Sequence, residues 1–458
     1  MIRIIIPVYN VEAYLADAVE SLIRQSAGFE KNIEIHLLDD HSTDTSPMIC
    51  DEYAKKYPDN ILVTHFPENH GVSRMRNEGI KAAKKAKADM IGFLDSDDML
   101  GENCIDEILG FCERHRDVKI IASKLYFFGA REGEPLANSY FDGTEVVDIR
   151  KDYERPRYYI GGTFLRYPAY KRLEFDEHLN FWEDALALNR VILAEGAYGL
   201  CAEARYMYRR RENNDSLVDR SWSDPYRYDG FLKDGYGKLY QYSKLRYFKV
   251  IPYVQFLVAN HVRLYLLEEN REAVMAVLDT PEALETFRQR LQMTLKPVDE
   301  EVLIRVKTKL PVLEELFSIK RGEKVRAKRV LTEDDMVVNL AGQEMGRLTE
   351  THVTLLGYSA KEGYEGMIKG RYATRLYAMK KEDHIFALHE GERIESVPYR
   401  CRKEIWVLDH LMRNYKRAGF AIAIPSDWEQ VRFGIRIGET DILLNEVDLA
   451  ALKEKWQG

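Results

Sequence analysis

The sequence predicts an α/β protein: a mostly parallel sheet in the first half, then a helical region, then a β-rich, sandwich-like C-terminal domain. Three observations carry this. Apolar runs of strand length alternate with helix-period segments over the first ~130 residues. From Tyr226 to Phe317 the apolar spacing is helical. Beyond Lys324 the runs turn short and alternating, separated by Gly and charged turns. At 458 residues the chain exceeds a single compact core, and the pattern divides it into 1–225, 226–325 and 326–458.

Ile2 to Val8 is continuously apolar, as expected of a strand covered on both faces. Leu15, Val19, Leu22 and Ile23 mark one helix face. Ile33 to Leu38 forms a second strand ending at Asp39-Asp40, and Ser46-Pro47 reads as an N-cap followed by proline at the first helical position. Ile61 to Phe66 is a third strand, Gly71 to Ala86 a helix, and Met90 to Leu94 a fourth strand ending at Asp95. Ile105, Ile108, Leu109 and Cys112 line another helix, and Val118 to Phe128 returns to strand. Residues 131–180, rich in tyrosine with Gly161-Gly162, carry no clear period. Leu186, Val191, Ile192 and Leu193 fit a helix after Trp182, and Tyr206 to Arg211 an extended segment. After Lys320-Arg321-Gly322-Glu323-Lys324 the predicted strands are Val337–Leu340, Val353–Leu356, Leu376–Met379, Ile385–Leu388, Ile405–Leu408, Phe420–Ile424, Phe433–Ile437 and Ile442–Leu444.

The net charge of −8 and the lack of a long basic block make nucleic acid a poor partner. Five scattered cysteines without CxxC spacing argue against a zinc site and a disulfide scaffold and fit a reducing compartment. No run approaches the ~20 apolar residues that span a bilayer. The apolar start reads as a strand, not a signal peptide. The expectation is a cytoplasmic protein, with peripheral contact at the inner face of a membrane left open.

In a parallel α/β sheet, ligands bind beyond the carboxyl ends of the strands. Those ends here carry Tyr9-Asn10, Asp39-Asp40 and Asp95-Ser96-Asp97-Asp98. Carboxylates so close repel, and a hard divalent cation, Mn²⁺ or Mg²⁺, relieves the repulsion and can bridge two phosphates. Standing alone, the acidic run is more often a solvated turn, with Asp98 free to cap the next helix.

Four motifs occur in order: Ile4-Ile5-Ile6-Pro7-Val8-Tyr9-Asn10; Leu37-Leu38-Asp39-Asp40-His41-Ser42-Thr43-Asp44; Asn69-His70-Gly71-Val72-Ser73-Arg74-Met75-Arg76-Asn77-Glu78-Gly79; and Asp95-Ser96-Asp97. This series resembles the family 2 glycosyltransferases of the GT-A fold over residues 1–225. The resemblance implies transfer of a sugar, with inversion, from a nucleotide diphosphate to an acceptor hydroxyl. Pro7 and Tyr9 are expected to line the base pocket. Asp40, with Asp39 beside it, reads the base, and a carboxylate accepting the uracil imide N–H favours a UDP-sugar. Arg76 holds the nucleotide side, Asp95 contacts the nucleotide or sugar, and Asp97 ligates the metal. Asp184 is the expected general base, with Glu183 orienting or replacing it; the bland alternative is a pair of acids at a helix start. Arg209 and Arg211, in Arg209-Arg210-Arg211, are candidate diphosphate contacts.

His41, where the family usually has glycine, and Met75, where a small residue usually precedes the arginine, depart from the pattern. Trp182 either stacks on an acceptor sugar or packs. The C-terminal half looks like that of bacterial enzymes that decorate teichoic acid or build capsular polymers. That implies a glycopolymer or lipid-linked acceptor, and a C-terminal module that assembles copies of the chain or grips polymer. Tyr364, Tyr372, Tyr377, Tyr399 and Trp406 are candidate sugar contacts there, against the commoner role of aromatics as core or cross-strand pairs. An inactive sugar-nucleotide scaffold and a transferase with a protein acceptor are the competing readings.

Overall fold

The computed structural model describes residues 1–211, 220–359, 366–425 and 427–451. The chain divides into two compact units, Met1–Val258 and Ala259–Gly458, so the helices between 226 and 325 are shared between them.

The first unit is built on strands β1 (Ile2–Val8), β2 (Ile33–Asp39), β3 (Ile61–His65), β4 (Met90–Phe93), β5 (Met99–Leu100), β6 (Ile120–Gly129), β7 (Val146–Asp148), β8 (Thr163–Arg166) and β9 (Ala197–Arg210). Their order is β3-β2-β1-β4-β8-β6-β9-β5, with β7 also on β9. The run β3-β2-β1-β4 is parallel throughout. β6 and β9 are parallel too, but β8 enters antiparallel to both of its neighbours. The helices are α1 (Leu15–Ile23), α2 (Phe29–Asn32), α3 (Ser46–Lys56), α4 (Val72–Ala86), α5 (Cys104–Arg114) and α6 (Glu183–Glu195), followed by others beyond Tyr228. β1 is nearly all apolar because α1 and α4 cover its two faces: Ile4 and Ile6 join the core with Leu15 and Val19, and Ile5 meets α4. A Cβ on Gly79 would lie 2.5 Å from Ile5, so glycine there lets α4 close down on β1. That approach sets Arg76, one turn earlier, over the strand ends.

Two local expectations change. Ser46 is the first residue of α3, not its cap; its hydroxyl accepts the Val11 amide at 3.0 Å and joins the loops after β1 and β2. Asp98 caps no helix. It precedes β5, and α5 begins only after Asn103.

The second unit continues with strands β10 (Lys328–Leu331), β11 (Met336–Leu340), β12 (Gln343–Arg347), β13 (Thr354–Ser359), β14 (Gly366–Arg371), β15 (His384–His389), β16 (Glu392–Glu395), β17 (Val397–Tyr399), β18 (Glu404–Val407), β19 (His410–Asn414), β20 (Gly419–Ile424), β21 (Gln430–Ile437) and β22 (Thr440–Asp448). They form antiparallel sheets, chiefly β13-β14-β20-β17 and β16-β15-β21-β22. Alternation buries Phe420, Ile422 and Ile424 of one and Val431, Phe433 and Ile435 of the other, and Phe420 meets Phe433 at 5.7 Å between ring centres. Leu376–Met379, expected as a strand, is irregular: Leu376 and Tyr377 are buried, but neither joins a sheet.

Candidate active site

The loops after β1 and β2 form one wall of the site. Asn10 and His41 both take the left-handed conformation, at φ 50° and 63°. His41 thus adopts the backbone that glycine favours, despite its side chain. Asn10 closes the pair, donating its amide to Ser42 and accepting from the Thr43 amide at 2.8 Å. Tyr9 is 50% exposed beside this wall, and Pro7 is partly buried.

Asp39 and Asp40 are both buried. Asp39 accepts from the Ser42 amide and pairs with His65 Nδ1 at 2.8 Å. The two oxygens of Asp40 accept the His70 and Gly71 amides, each at 2.7 Å, which fixes the loop that starts α4. Each oxygen of such a carboxylate keeps a second lone pair. Met75, the other departure from the family pattern, is buried in the core side of α4.

Arg76 links three elements. Its guanidinium is buried, donates to Asp95 Oδ1 and to Glu183 Oε1 at 2.9 Å each, and stacks 5.3 Å from the Phe175 ring. It therefore brings the end of β4 to the start of α6, with Glu183 lying 107 residues beyond Arg76 along the chain.

Asp184 follows on α6. One oxygen accepts its neighbour Ala185's amide at 2.7 Å, the other Ile160's amide at 3.3 Å. Burial, then the charge of Glu183, pushes its carboxyl up to about 7; Arg76 opposes this only in part. Trp182 sits in the left-handed region just before α6 and is packed, 8% exposed, against Phe231 and Tyr236.

The acidic turn after β4 is bolted to the end of β9. The Tyr206 hydroxyl donates to Asp98 Oδ2 at 2.7 Å, and the Arg209 amide donates to Asp98 Oδ1 at 2.7 Å. Arg209 Nε reaches the Asp97 carbonyl at 2.7 Å and its Nη2 reaches Asp17 at 2.8 Å. Arg211 Nη2 pairs with Asp97 Oδ2 at 2.5 Å. Both arginines lie over the Tyr14 ring, at 4.9 and 5.1 Å. Burial, then Asp95, raises the Asp97 carboxyl, with Arg211 pulling the other way. Asp98 is raised well above the usual range by burial, Asp95 and Asp97.

Among the described residues no three His, Cys, Asp or Glu side chains form a metal cluster by themselves. Mn²⁺ and Mg²⁺ need no such cage: one or two carboxylates plus phosphate oxygens suffice. Asp95 and Asp97, mutually repelling at a strand end, are carboxylates of the kind such a donor set uses.

Arg76, Asp95, Glu183 and Asp184 thus converge, with Asp97, Arg209 and Arg211 joined at the adjoining acidic turn, while among the described residues Pro7, Tyr9, Asp39 and Asp40 share no hydrogen bond or ion pair with the Arg76 network and form the separate wall. Motif reading missed Tyr206, Tyr14 and His65. Tyr206 was findable in part: Gly161-Gly162, puzzling in sequence, leaves room for it, since a Cβ on Gly161 would lie 2.8 Å from its ring. Of the C-terminal aromatics, Tyr372 and Tyr377 are buried, Trp406 bonds Glu404 on its own strand, and Tyr364 lies outside the described residues.

No described helix is long and apolar enough to cross a membrane. Residues 3–175 match the Glycosyl transferase family 2. The chain is 33% identical over 457 residues to the minor teichoic acid biosynthesis protein GgaA of Bacillus subtilis, covering 98% of this chain and 97% of that protein. Among solved structures, S. aureus TarS superposes with TM-score 0.61 at 15% identity, over 97% of this chain and 77% of TarS. TarS 1-349 in complex with UDP-GlcNAc superposes with TM-score 0.55 at 18% identity, over 75% of this chain and 97% of that one. With the ordered motifs, the sheet that aligns their strand ends and a relative matched almost end to end, the chain belongs to glycosyltransferase family 2.

Proposed function

We propose that this glycosyltransferase moves a sugar from a UDP-sugar to a hydroxyl of a teichoic-acid-type glycopolymer or its precursor, with inversion. The observation that carries the reading is the Arg76 bridge, which sets Asp184, a carboxyl raised to about 7, beside the acidic strand end. The near-full-length likeness to a teichoic acid biosynthesis protein supports the acceptor class, and the shared fold with a structure holding UDP-GlcNAc supports the donor class.

The wall of Tyr9, Pro7 and Asp40 holds the base, and a free lone pair on Asp40 accepts the imide N–H of uracil. Asp97, with Asp95, would hold Mn²⁺ or Mg²⁺, and such an ion would supply positive charge to the diphosphate leaving group. Arg211, freed from Asp97, and Arg209 add guanidinium contacts to the phosphates. Arg76 holds Glu183 in place. Asp184 takes the acceptor hydroxyl proton as that oxygen attacks the anomeric carbon from the face opposite the diphosphate. With a single base and a cationic leaving-group site, no second carboxylic acid is required.

The test is a panel of UDP-, GDP- and dTDP-sugars with Mn²⁺, with and without EDTA, on wild type and Asp97→Ala. Metal-dependent binding or slow hydrolysis of a UDP-sugar, lost in Asp97→Ala, is the expected result. No nucleotide binding under any condition would sink the donor site and favour a scaffold.

A further inference from the structure

In the first unit, helix α7 (Lys238–Tyr247) ends in a patch of apolar and cationic side chains that the transfer step leaves unused. The helix turns Leu239, Tyr240 and Ser243 inward. Leu245, two residues past Ser243, falls on the opposite side and is 79% exposed. Phe248, just beyond the helix, is 94% exposed. Lys244, Arg246 and Lys249 are set among them and are exposed as well. Exposed apolar residues scattered singly are ordinary. Two large ones within four residues, interleaved with three cations, are not.

Hydrogen bonds hold this tip in one conformation. Phe248 caps α7 at φ 61°, in the left-handed region where glycine is the usual residue, and its amide donates to the Lys244 carbonyl at 2.8 Å. The Ser243 hydroxyl donates to the Lys249 carbonyl at 2.9 Å and accepts the Ile251 amide at 3.1 Å. The Tyr247 hydroxyl donates to the Leu193 carbonyl at 2.7 Å, near the end of α6. The backbone at 248 thus favours a residue without a side chain, yet a phenylalanine stands there almost wholly in solvent. Neither backbone conformation nor packing accounts for it.

The charge pattern is equally one-sided. In a chain of net charge −8, no acidic residue occurs between Asp234 and Glu268. Lys244, Arg246 and Lys249 form no ion pair among the described residues. Two acids near the tip face other cations: Asp148, close enough to act on Tyr247, faces Arg150 and Lys151, and Glu195 at the end of α6 pairs with Arg172. Such a tip attracts an anionic surface. Leucine and phenylalanine enter an acyl-chain boundary while lysine and arginine stay at the headgroup phosphates. A bilayer offers both chemistries at every point of its face, so no shaped pocket is needed to receive them. We propose that Leu245 and Phe248, with Lys244, Arg246 and Lys249, dock the first unit on an anionic phospholipid surface. Composition leaves membrane contact open and points to no residue; this tip gives it a place. From Leu193 back to Asp184, α6 spans ~14 Å, so a bilayer at the tip touches no reacting group. The contact sets where the enzyme works and not the rate of the transfer step, whichever donor and acceptor it uses.

The test uses the full chain. Leu245→Gln/Phe248→Gly and Lys244→Gln/Lys249→Gln are compared with wild type and with Met48→Gln/Lys55→Gln on α3, which also removes an exposed apolar side chain and an exposed cation. Glycine suits the left-handed backbone at 248, so the fold is kept. Cosedimentation is measured with vesicles of phosphatidylcholine alone and of an equal mixture with phosphatidylglycerol, across a salt series. Wild type and the α3 control should bind the mixed vesicles about tenfold or more tightly than phosphatidylcholine, and should be released as salt rises. Each tip variant should lose about tenfold or more of that affinity, and the charge variant should show a flatter salt dependence. Donor hydrolysis in solution should be equal in all four proteins. Failure of wild type to bind mixed vesicles, equal binding to both vesicle types, tip variants that bind as wild type does, or an equal loss in the α3 control would each overturn the proposal. A changed subunit count of the tip variants in vesicle-free solution, with vesicle binding intact, would overturn it in favour of a second copy of the chain.

Discussion

At Asp184, burial and Glu183 outweigh the attraction of Arg76, and the carboxyl titrates near 7 instead of its ordinary 3.8. A general base works only when deprotonated, so kcat/KM should rise with pH and level off above about 7. Asp184→Asn should abolish transfer, by at least ~10³-fold, while leaving UDP-sugar affinity within a few-fold; a rate assay beside calorimetric titration checks both. The same shift gives a stability prediction. An acid with a higher pKa folded than unfolded holds an extra native proton between about 4 and 7, so stability falls as pH rises through that window. Asp184→Asn should therefore melt higher than wild type at pH 8 and close to it at pH 4. Asp97 offers a further test. Its Oδ2 is taken by Arg211 at 2.5 Å, so a cation entering there must displace a guanidinium. Without nucleotide, Arg211→Ala should bind Mn²⁺ several-fold more tightly than wild type, and with UDP-sugar present it should lose diphosphate affinity. Mn²⁺ titration followed by electron paramagnetic resonance reads both; unchanged metal affinity would show that Arg211 does not compete.

Between elements, the site depends on long-range bonds that join strand ends to helix starts. Arg76 is the strongest case, being buried between Asp95 and Glu183. Arg76→Met leaves Glu183 buried without its cation, at a cost of about 3–5 kcal/mol, as for other broken buried pairs. The expected outcome is a lower denaturation midpoint together with loss of transfer. Tyr206→Phe is milder: it removes one donor to buried Asp98 and should cost ~1–3 kcal/mol, with catalysis weakened through the loosened acidic turn. Such bonds also explain what the sequence hid. The strand-end carboxylates and the α6 acids were legible because period and motif are local properties. Ser46 and Asp98 looked like caps because a capping rule sees only the next few residues. Their real partners are Val11 in one case, and Tyr206 and Arg209 in the other, the latter more than 100 residues away. β8 was illegible for the same reason: nothing local distinguishes an antiparallel strand inserted into a parallel sheet.

Across the whole molecule, each unit has its own core and its own buried charges, and this predicts how the chain melts. The site lies wholly in Met1–Val258. In the second unit Glu314, fully buried, accepts from Arg413 at 2.9 Å and from the Ala327 amide at 3.0 Å. A ligand that binds only the native state stabilises it by about 2.7 kcal/mol at a hundredfold excess over Kd. For a domain of this size that raises Tm by roughly 5–10 °C. Calorimetry of the full chain with UDP and Mn²⁺ should therefore move one transition and leave the other in place. Arg413→Met identifies the second: by removing the nearer of Glu314's two cations, Arg329 lying at 3.8 Å, it should lower the transition that ignores UDP, by several degrees, and leave the nucleotide-dependent one unchanged. If UDP and Arg413→Met instead shift one common transition, the two units unfold as a single cooperative body. In that case a ligand bound to either unit would stabilise the other as well.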